Sequence, residues 1–300
     1  MEHDTPTKKR GRFARAMKAI GIILLSAVFA LYVVLPFGMG VFAAIRPARK
    51  IETPPEGFQA LTLTAQDSTA LACWYAPDTN GAAIILVHGS KSNLASVETH
   101  AAMLRDAGYG VLALTLRGHG GSGGNGNAFG WQCGEDLSAA VDYLRSLGVE
   151  KIGALGLSMG GEVLLSSAAD EREITAIVAD GATQHSLMDY FLLEENRTLW
   201  HSWTTQVLYA TVSFLTGQQP PERAIIDSIA EAKNTSFLLV AAEQVKKEKV
   251  YGEAFVAVAP DRVSLWVAPG AGHTGGIFSA RVAYQERVIA FFDGTLSPSK

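Results

Sequence analysis

Ile152-Gly153-Ala154-Leu155-Gly156-Leu157-Ser158-Met159-Gly160-Gly161-Glu162-Val163-Leu164-Leu165 is the stretch on which the reading of this chain turns. Its first six residues form a short apolar run of the kind shown by a strand buried on both faces. From Gly161 to Ala169 the spacing is helical. Between them lies Gly-x-Ser-x-Gly, so the chain must pass from strand to helix in a sharp turn that lifts the Ser158 hydroxyl above the sheet. Gly156 and Gly160 are required there because side chains would collide with the neighbouring strand and helix. The amino end of the helix also favours negative charge developing beside the serine.

The same alternation extends in both directions. Apolar runs at Ala83–Val87, Gly110–Leu114, Ile174–Ala179, Phe237–Ala241 and Val263–Val267 alternate with helical patterns at Leu94–Ala107, Glu135–Leu147 and Val250–Val258. Phe58 to Thr64 and Ala70 to Tyr75, joined through Gln66-Asp67-Ser68, read as a hairpin in front of them. The fold class is therefore α/β, a mostly parallel sheet with helices on both faces. In such sheets sites form at the carboxyl ends of the strands. Gly181 to Asn234 contains no strand pattern and is rich in aromatic residues: Tyr190, Phe191, Trp200, Trp203, Tyr209 and Phe214. A segment that long carries its own structure, and residues 184–234 are expected to form a helical cap over the strand ends. His185 and His201 within it are candidates for substrate contact, with core or solvated positions as the ordinary alternative.

At the front of the chain Lys8, Lys9, Arg10, Arg12, Arg15 and Lys18 oppose only Glu2 and Asp4. The uncharged stretch Ala19 to Ile45 follows, 27 residues long, where about 20 suffice to cross a bilayer. We expect a basic cytoplasmic tail at 1–18, a transmembrane helix at 19–45, a charged and proline-rich linker at 46–57, the main domain at 58–293 and a short tail at 294–300. Six basic residues before the span and Arg46, Arg49 and Lys50 after it place the amino terminus in the cytoplasm and the domain outside. The alternative is a signal peptide cleaved near Phe42-Ala43-Ala44, giving a secreted domain. The net charge of −4 gives no reason to propose nucleic-acid binding. Cys73 and Cys133 make no disulfide framework and show no metal-ligand spacing, although one structural disulfide is open to them in an oxidising compartment.

Gly156-Leu157-Ser158-Met159-Gly160, His88-Gly89-Ser90 after the run Ala83–Val87, Arg117-Gly118-His119-Gly120-Gly121-Ser122 after the next run, and Pro269-Gly270-Ala271-Gly272-His273 after the last one together resemble the α/β-hydrolase superfamily of serine hydrolases. The resemblance covers nearly all of residues 58–293. It implies Ser158 as nucleophile, His273 as general base and the backbone N–H groups of Ser90 and Met159 as oxyanion hole, with no metal or cofactor. It makes His119 part of a loop-shaping turn. Nucleophile first and histidine last is the chain order of that fold.

The acid departs from the pattern. The family's Gly-x-x-Asp would put it at Val245, in Ala242-Glu243-Gln244-Val245-Lys246-Lys247-Glu248. Glu243, two residues early, is the first candidate, Glu248, three late, the second, and Asp180, at the end of Ile174–Ala179, the third. A Ser–His pair without an acid is the remaining option. The function expected is hydrolysis of a carboxylic ester of an apolar or lipid-like substrate through an acyl-enzyme on Ser158. Its alternatives are a serine peptidase of the aminopeptidase type and, in another class, a non-catalytic membrane-tethered binding module. The partners expected are a small-molecule ester and, through the N-terminal helix, a membrane. The sequence makes no obligate protein partner evident.

Overall fold

The computed structural model describes residues 6–47 and 51–296. The first residues of the basic tail, linker residues 48–50 and the end of the C-terminal tail lie outside the described residues. One continuous sheet organises the domain. Its strands are β1 (Gln59–Thr64), β2 (Ala70–Ala76), β3 (Ala82–Val87), β4 (Gly110–Leu114), β5 (Lys151–Leu157), β6 (Ile174–Asp180), β7 (Ser236–Ala242) and β8 (Val263–Ala268). Their spatial order is β1-β2-β4-β3-β5-β6-β7-β8. β1 pairs antiparallel with β2, and β2 with β4. Every other pairing is parallel. β3 and β5 are adjacent in the middle, so the loop after β3 and the turn after β5 emerge side by side. All six residues of β3 are buried, which is why the strand reads as an unbroken apolar run.

The helices are α1 (Pro6–Phe29), α2 (Leu35–Ala44), α3 (Glu98–Asp106), α4 (Gly134–Ser146), α5 (Met159–Ser167), α6 (Leu187–Tyr190), α7 (Leu199–Thr216), α8 (Ile225–Glu231), α9 (Lys246–Val258), α10 (Gly276–Ser279) and α11 (Arg281–Leu296). Two large apolar clusters fill the space on either side of the sheet. One joins alternate strand residues such as Ile85, Leu112 and Ile177 to α4, α5, α8 and α9. The other joins Ile84, Val111 and Val178 to α3 and α11. A fully buried Val, Leu or Ile contributes roughly 1.5–3 kcal/mol, so this two-sided burial secures the frame that holds the site. Cys73 and Cys133 are buried, free thiols, not a disulfide, and burial pushes both well above the ordinary thiol range.

α1 and α2 are joined by a wider turn at Ala30–Val34, and Gly11–Ala44 form one helix long and apolar enough to cross a membrane or to serve as a signal sequence. Its last part is not free of the domain. α2 lies along α7, and a Cβ added at Gly40 would stand 2.6 Å from Thr211 Cβ, so the two helices touch backbone to side chain there. Tyr32 meets the Trp200 ring edge-on at 4.6 Å between centroids, and Trp203 Nε1 donates to Tyr32 O at 2.8 Å. Ala43 is buried with Trp131, Tyr209 and Val212 in a third apolar cluster. Arg46, expected to open a linker, is instead tied by its guanidinium to the carbonyls of Ser122 and Gly124.

Candidate active site

Ser158 sits between β5 and α5 with φ +51° and ψ −118°, a conformation that costs a side-chain-bearing residue roughly 1–3 kcal/mol. The packing around it enforces the strain. A Cβ at Gly156 would lie 2.5 Å from Gly160 C, and one at Gly160 would lie 2.6 Å from His88 O. The Ser158 N–H donates to Asp180 O at 2.7 Å, which pins the turn to the end of β6.

The loop after β3 closes over the serine. A Cβ on Gly89 would stand 3.5 Å from Ser158 Cβ. Buried His88 fixes this loop: its Nδ1–H donates to Gly89 O at 2.7 Å, and its Nε2 accepts the Leu116 N–H at 3.2 Å. Burial holds its pKa down at about 3, so the ring is neutral and keeps that tautomer. Ser90 Oγ donates to Ala128 O at 2.7 Å. Ser90, on the loop after β3, lines the same cavity as Ser158, and Met159 is the first residue of α5. His119 is buried, with Nδ1 3.0 Å from Arg117 O, and Arg117 is itself held by Asp136, Asp67 and Glu135. That turn is structural, as its motif suggested.

His273 reaches Ser158 from the loop after β8. Its Nε2 lies 2.8 Å from Ser158 Oγ, and its Nδ1 lies 2.6 Å from Glu248 Oε1. Glu248, on the first turn of α9, is 1% exposed in its side chain, whereas His273 is 51% exposed. The second carboxylate oxygen, Oε2, accepts the Ala242 N–H at the end of β7 at 2.7 Å. The bond to Glu248 raises the imidazole pKa above its usual 6.5, against partial desolvation.

The other two acid candidates are placed elsewhere. Glu243, first choice from the sequence, uses Oε2 to accept the Gly270 N–H at 2.7 Å; it braces the loop carrying His273 and makes no contact with the ring. Asp180 is buried below the site, where burial and the nearby Glu248 charge push its pKa up to about 7. Glu248 looked too far along the chain because the helix was expected from Val250. α9 begins at Lys246, so Glu248 is drawn back to the strand end. A carboxylate in the first helical turn, next to backbone N–H groups at the end of a strand, was the available signal.

Ser158 and His273 open into a cavity of about 420 Å³ lined by Gly89, Ser90, Ser92, Ser96, His100, Leu157, Thr274 and Phe278. Its wall combines the hydroxyls of Ser90, Ser92, Ser96 and Thr274 and the buried His100 imidazole with apolar surface from Leu157 and Phe278, and among these lining residues none carries a carboxylate. The aromatic segment lies elsewhere. Trp200, His201, Tyr190 and Tyr209 line a separate cavity of about 330 Å³ against α2, and the two cavities share no lining residue. His185 is buried and His201 Nδ1 lies 3.0 Å from Glu195 O; neither lines the serine cavity.

A family model described as Hydrolase_4, serine aminopeptidase S33, matches residues 78–245. The chain belongs to the serine aminopeptidase S33 family. The S33 match runs from just before β3 to just past β7, takes in Ser158, and ends three residues short of Glu248. Among solved structures the chain is similar to an esterase of Pyrococcus furiosus, with 23% identity, a TM-score of 0.65, and coverage of 84% of this chain and 98% of that one. It is also similar to the proline iminopeptidase of Mycobacterium smegmatis, with 15% identity, a TM-score of 0.57, and coverage of 79% and 98%. These likenesses place the S33 chain in the α/β-hydrolase fold. No curated protein matches the sequence.

Proposed function

We propose that this protein is a membrane-anchored serine hydrolase that cleaves a carboxylic ester through an acyl-enzyme on Ser158. The reading rests on the unbroken line Glu248–His273–Ser158, with hydrogen bonds of 2.6 and 2.8 Å. Glu248 accepts the Nδ1 proton, which leaves the Nε2 lone pair facing the serine. His273 Nε2 takes the Ser158 hydroxyl proton as Oγ bonds to the ester carbonyl carbon. The oxyanion is held by the N–H groups of Ser90 and Met159, rigid main-chain donors that need no reorganisation. The imidazolium then protonates the leaving alkoxide, the alcohol departs, and the acyl group remains on Oγ. Water enters, gives its proton to Nε2 and bonds to the acyl carbon. Oγ leaves, regains the proton, and the acid is released.

The family includes aminopeptidases by name, but an aminopeptidase must hold a charged amine, and the serine cavity has no carboxylate on its described wall. That favours a neutral ester. The packing of Tyr32, Gly40 and Ala43 against the domain supports an N-terminal helix that is retained and not cleaved near Ala43. With the basic tail inside, the domain stands outside the cytoplasm, beside lipid esters.

The test is labelling of the detergent-solubilised full chain by a fluorophosphonate, beside Ser158→Ala. Labelling confined to the wild type is expected; an unlabelled wild type refutes an activated serine. A p-nitrophenyl ester series set against an aminoacyl p-nitroanilide then separates esterase from aminopeptidase, with turnover of the anilide alone refuting the ester reading.

A further inference from the structure

We propose that the cavity between α2 and α7 is a binding site for an acyl chain of a bilayer lipid, separate from the cavity that holds Ser158. The proposal rests on the anchored reading of the N-terminal helix and is independent of the reaction at Ser158. The cavity measures about 330 Å³, at the lower end of the roughly 300–1,000 Å³ usual for ligand pockets. One wall is Leu35, Pro36 and Met39 on the apolar helix; the other is Trp200, Thr204 and Leu208 on α7. An apolar cleft between two helices of this kind suits a flexible hydrocarbon.

The position of the cavity argues for a lipid over a soluble apolar molecule. α2 and α7 run in the same direction, since Tyr32 meets Trp200 and Trp203 while Gly40 meets Leu208 and Thr211. Tyr32, Trp200 and Trp203 therefore form one aromatic level, the signature of a membrane–water boundary. Tyr32 lies 14 residues beyond Lys18, about 21 Å at 1.5 Å per residue. A Lys18 side chain reaching back towards the inner headgroups makes up most of the ~30 Å hydrocarbon thickness. The exposed Glu194, Glu195 and Arg197, on the turn just before α7, then lie among the outer headgroups. Leu35, Pro36 and Met39 follow Tyr32 within two turns, so the cavity begins directly above the leaflet.

The first turn of α7 fits the same placement. Leu199 and Trp203 are exposed at that end of the helix, while Ala210 and Phe214, on the same face beyond the exposed Gln206, lie roughly 10 and 16 Å further from the leaflet at 1.5 Å per residue. Leu199 is 83% exposed, a poor arrangement in water and an ordinary one at the edge of a bilayer. Below that level Ile20, Ile23, Leu24, Val28 and Phe29 on the spanning helix are exposed as well, so the membrane end of the cavity adjoins the part of the chain that would face lipid.

The cavity wall is also joined to the reaction centre. Phe129 lines it, and the adjacent Ala128 accepts the Ser90 hydroxyl through its carbonyl and donates its N–H to Ala43 O at 2.9 Å. A chain seated there packs against the support of the oxyanion loop.

The full chain in nanodiscs of phosphatidylcholine, carrying a trace of phosphatidylcholine with a diazirine on its acyl chain, tests this. Photolabel is expected on residues 200–209 as well as on residues 20–29. Thr204→Trp, and independently Met39→Trp, should cut labelling of 200–209 about tenfold, the loss of roughly two buried methylenes, and leave labelling of 20–29 unchanged. Labelling of 200–209 that survives both substitutions, or labelling of 20–29 alone, overturns the proposal. Fluorophosphonate labelling of Ser158 is read in the same samples. Its absence with the photolabel as expected removes the hydrolase reading and leaves the lipid site standing.

Discussion

Replacing Glu248 by glutamine changes the shape of the site by almost nothing and reverses the direction of one hydrogen bond. Glu248 uses both carboxylate oxygens: Oε2 accepts the buried Ala242 N–H at 2.7 Å, and Oε1 accepts from His273 Nδ1 at 2.6 Å. Glutamine has only one acceptor. Leaving the Ala242 N–H unpaired costs about 1–3 kcal/mol, so the amide oxygen turns to Ala242 and the NH₂ group faces the imidazole. The NH₂ then donates to Nδ1 and forces the proton onto Nε2, the atom that must receive the serine proton. The expected loss is on the order of 10⁴ in kcat, the scale of a triad held in the wrong tautomer. Glu248→Ala removes the partner without imposing a tautomer, so it should retain more activity than Glu248→Gln while losing stability. Glu243→Gln, at the Gly270 N–H, should stay within about tenfold of wild type because it touches only the loop. The assay is steady-state hydrolysis of a p-nitrophenyl ester. A Glu248→Gln enzyme within tenfold of wild type, or a Glu243→Gln enzyme that collapses instead, refutes the reasoning.

Three further outcomes follow from the same geometry. The base works as neutral imidazole, and Glu248 raises the His273 pKa above 6.5, so kcat/KM should rise with pH through a midpoint above 6.5. That midpoint should fall in Glu248→Gln; an unmoved midpoint would detach Glu248 from the ring. Asp180 has its pKa raised to about 7 by burial, so the folded state favours its protonated form and loses stability as pH climbs from about 4 through 7. Asp180→Asn should remove much of that loss, on the order of 1–3 kcal/mol, seen as a smaller fall in Tm between pH 5 and pH 8.5; equal falls in both proteins would contradict it. Ser158→Gly should abolish activity and raise stability by about 1 kcal/mol, since φ +51° costs glycine nothing; a lower Tm would show that the turn is not strained.

The sheet was legible because strands buried on both faces leave an unmistakable apolar run, and the sharp turn that presents Ser158 because only glycines fit at positions 156 and 160. The approach of His273 to Ser158 was legible from its place after the last strand. The carboxylate that meets His273 was not, since its position depends on where β7 stops and α9 starts, a boundary with no periodic trace, across which the Ala242 N–H bonds to Glu248. The aromatic residues of 184–234 were legible as a helical group, but what they cover was not. Trp200 and Tyr209 were expected above the serine and instead face α2, a pairing between residues some 170 apart that no local pattern encodes.

A domain on a flexible tether would tumble above its membrane and meet substrate at any angle. Here Ala43 O holds Ala128, Ala128 holds Ser90, and Lys91 Nζ donates to Phe42 O at 2.5 Å. Helix and reaction centre are joined by a continuous run of hydrogen bonds. If the helix spans a bilayer, its tilt sets the height and heading of Ser158, and the enzyme searches in two dimensions at one fixed altitude. Membrane thickness then becomes a determinant of which ester bonds come within reach.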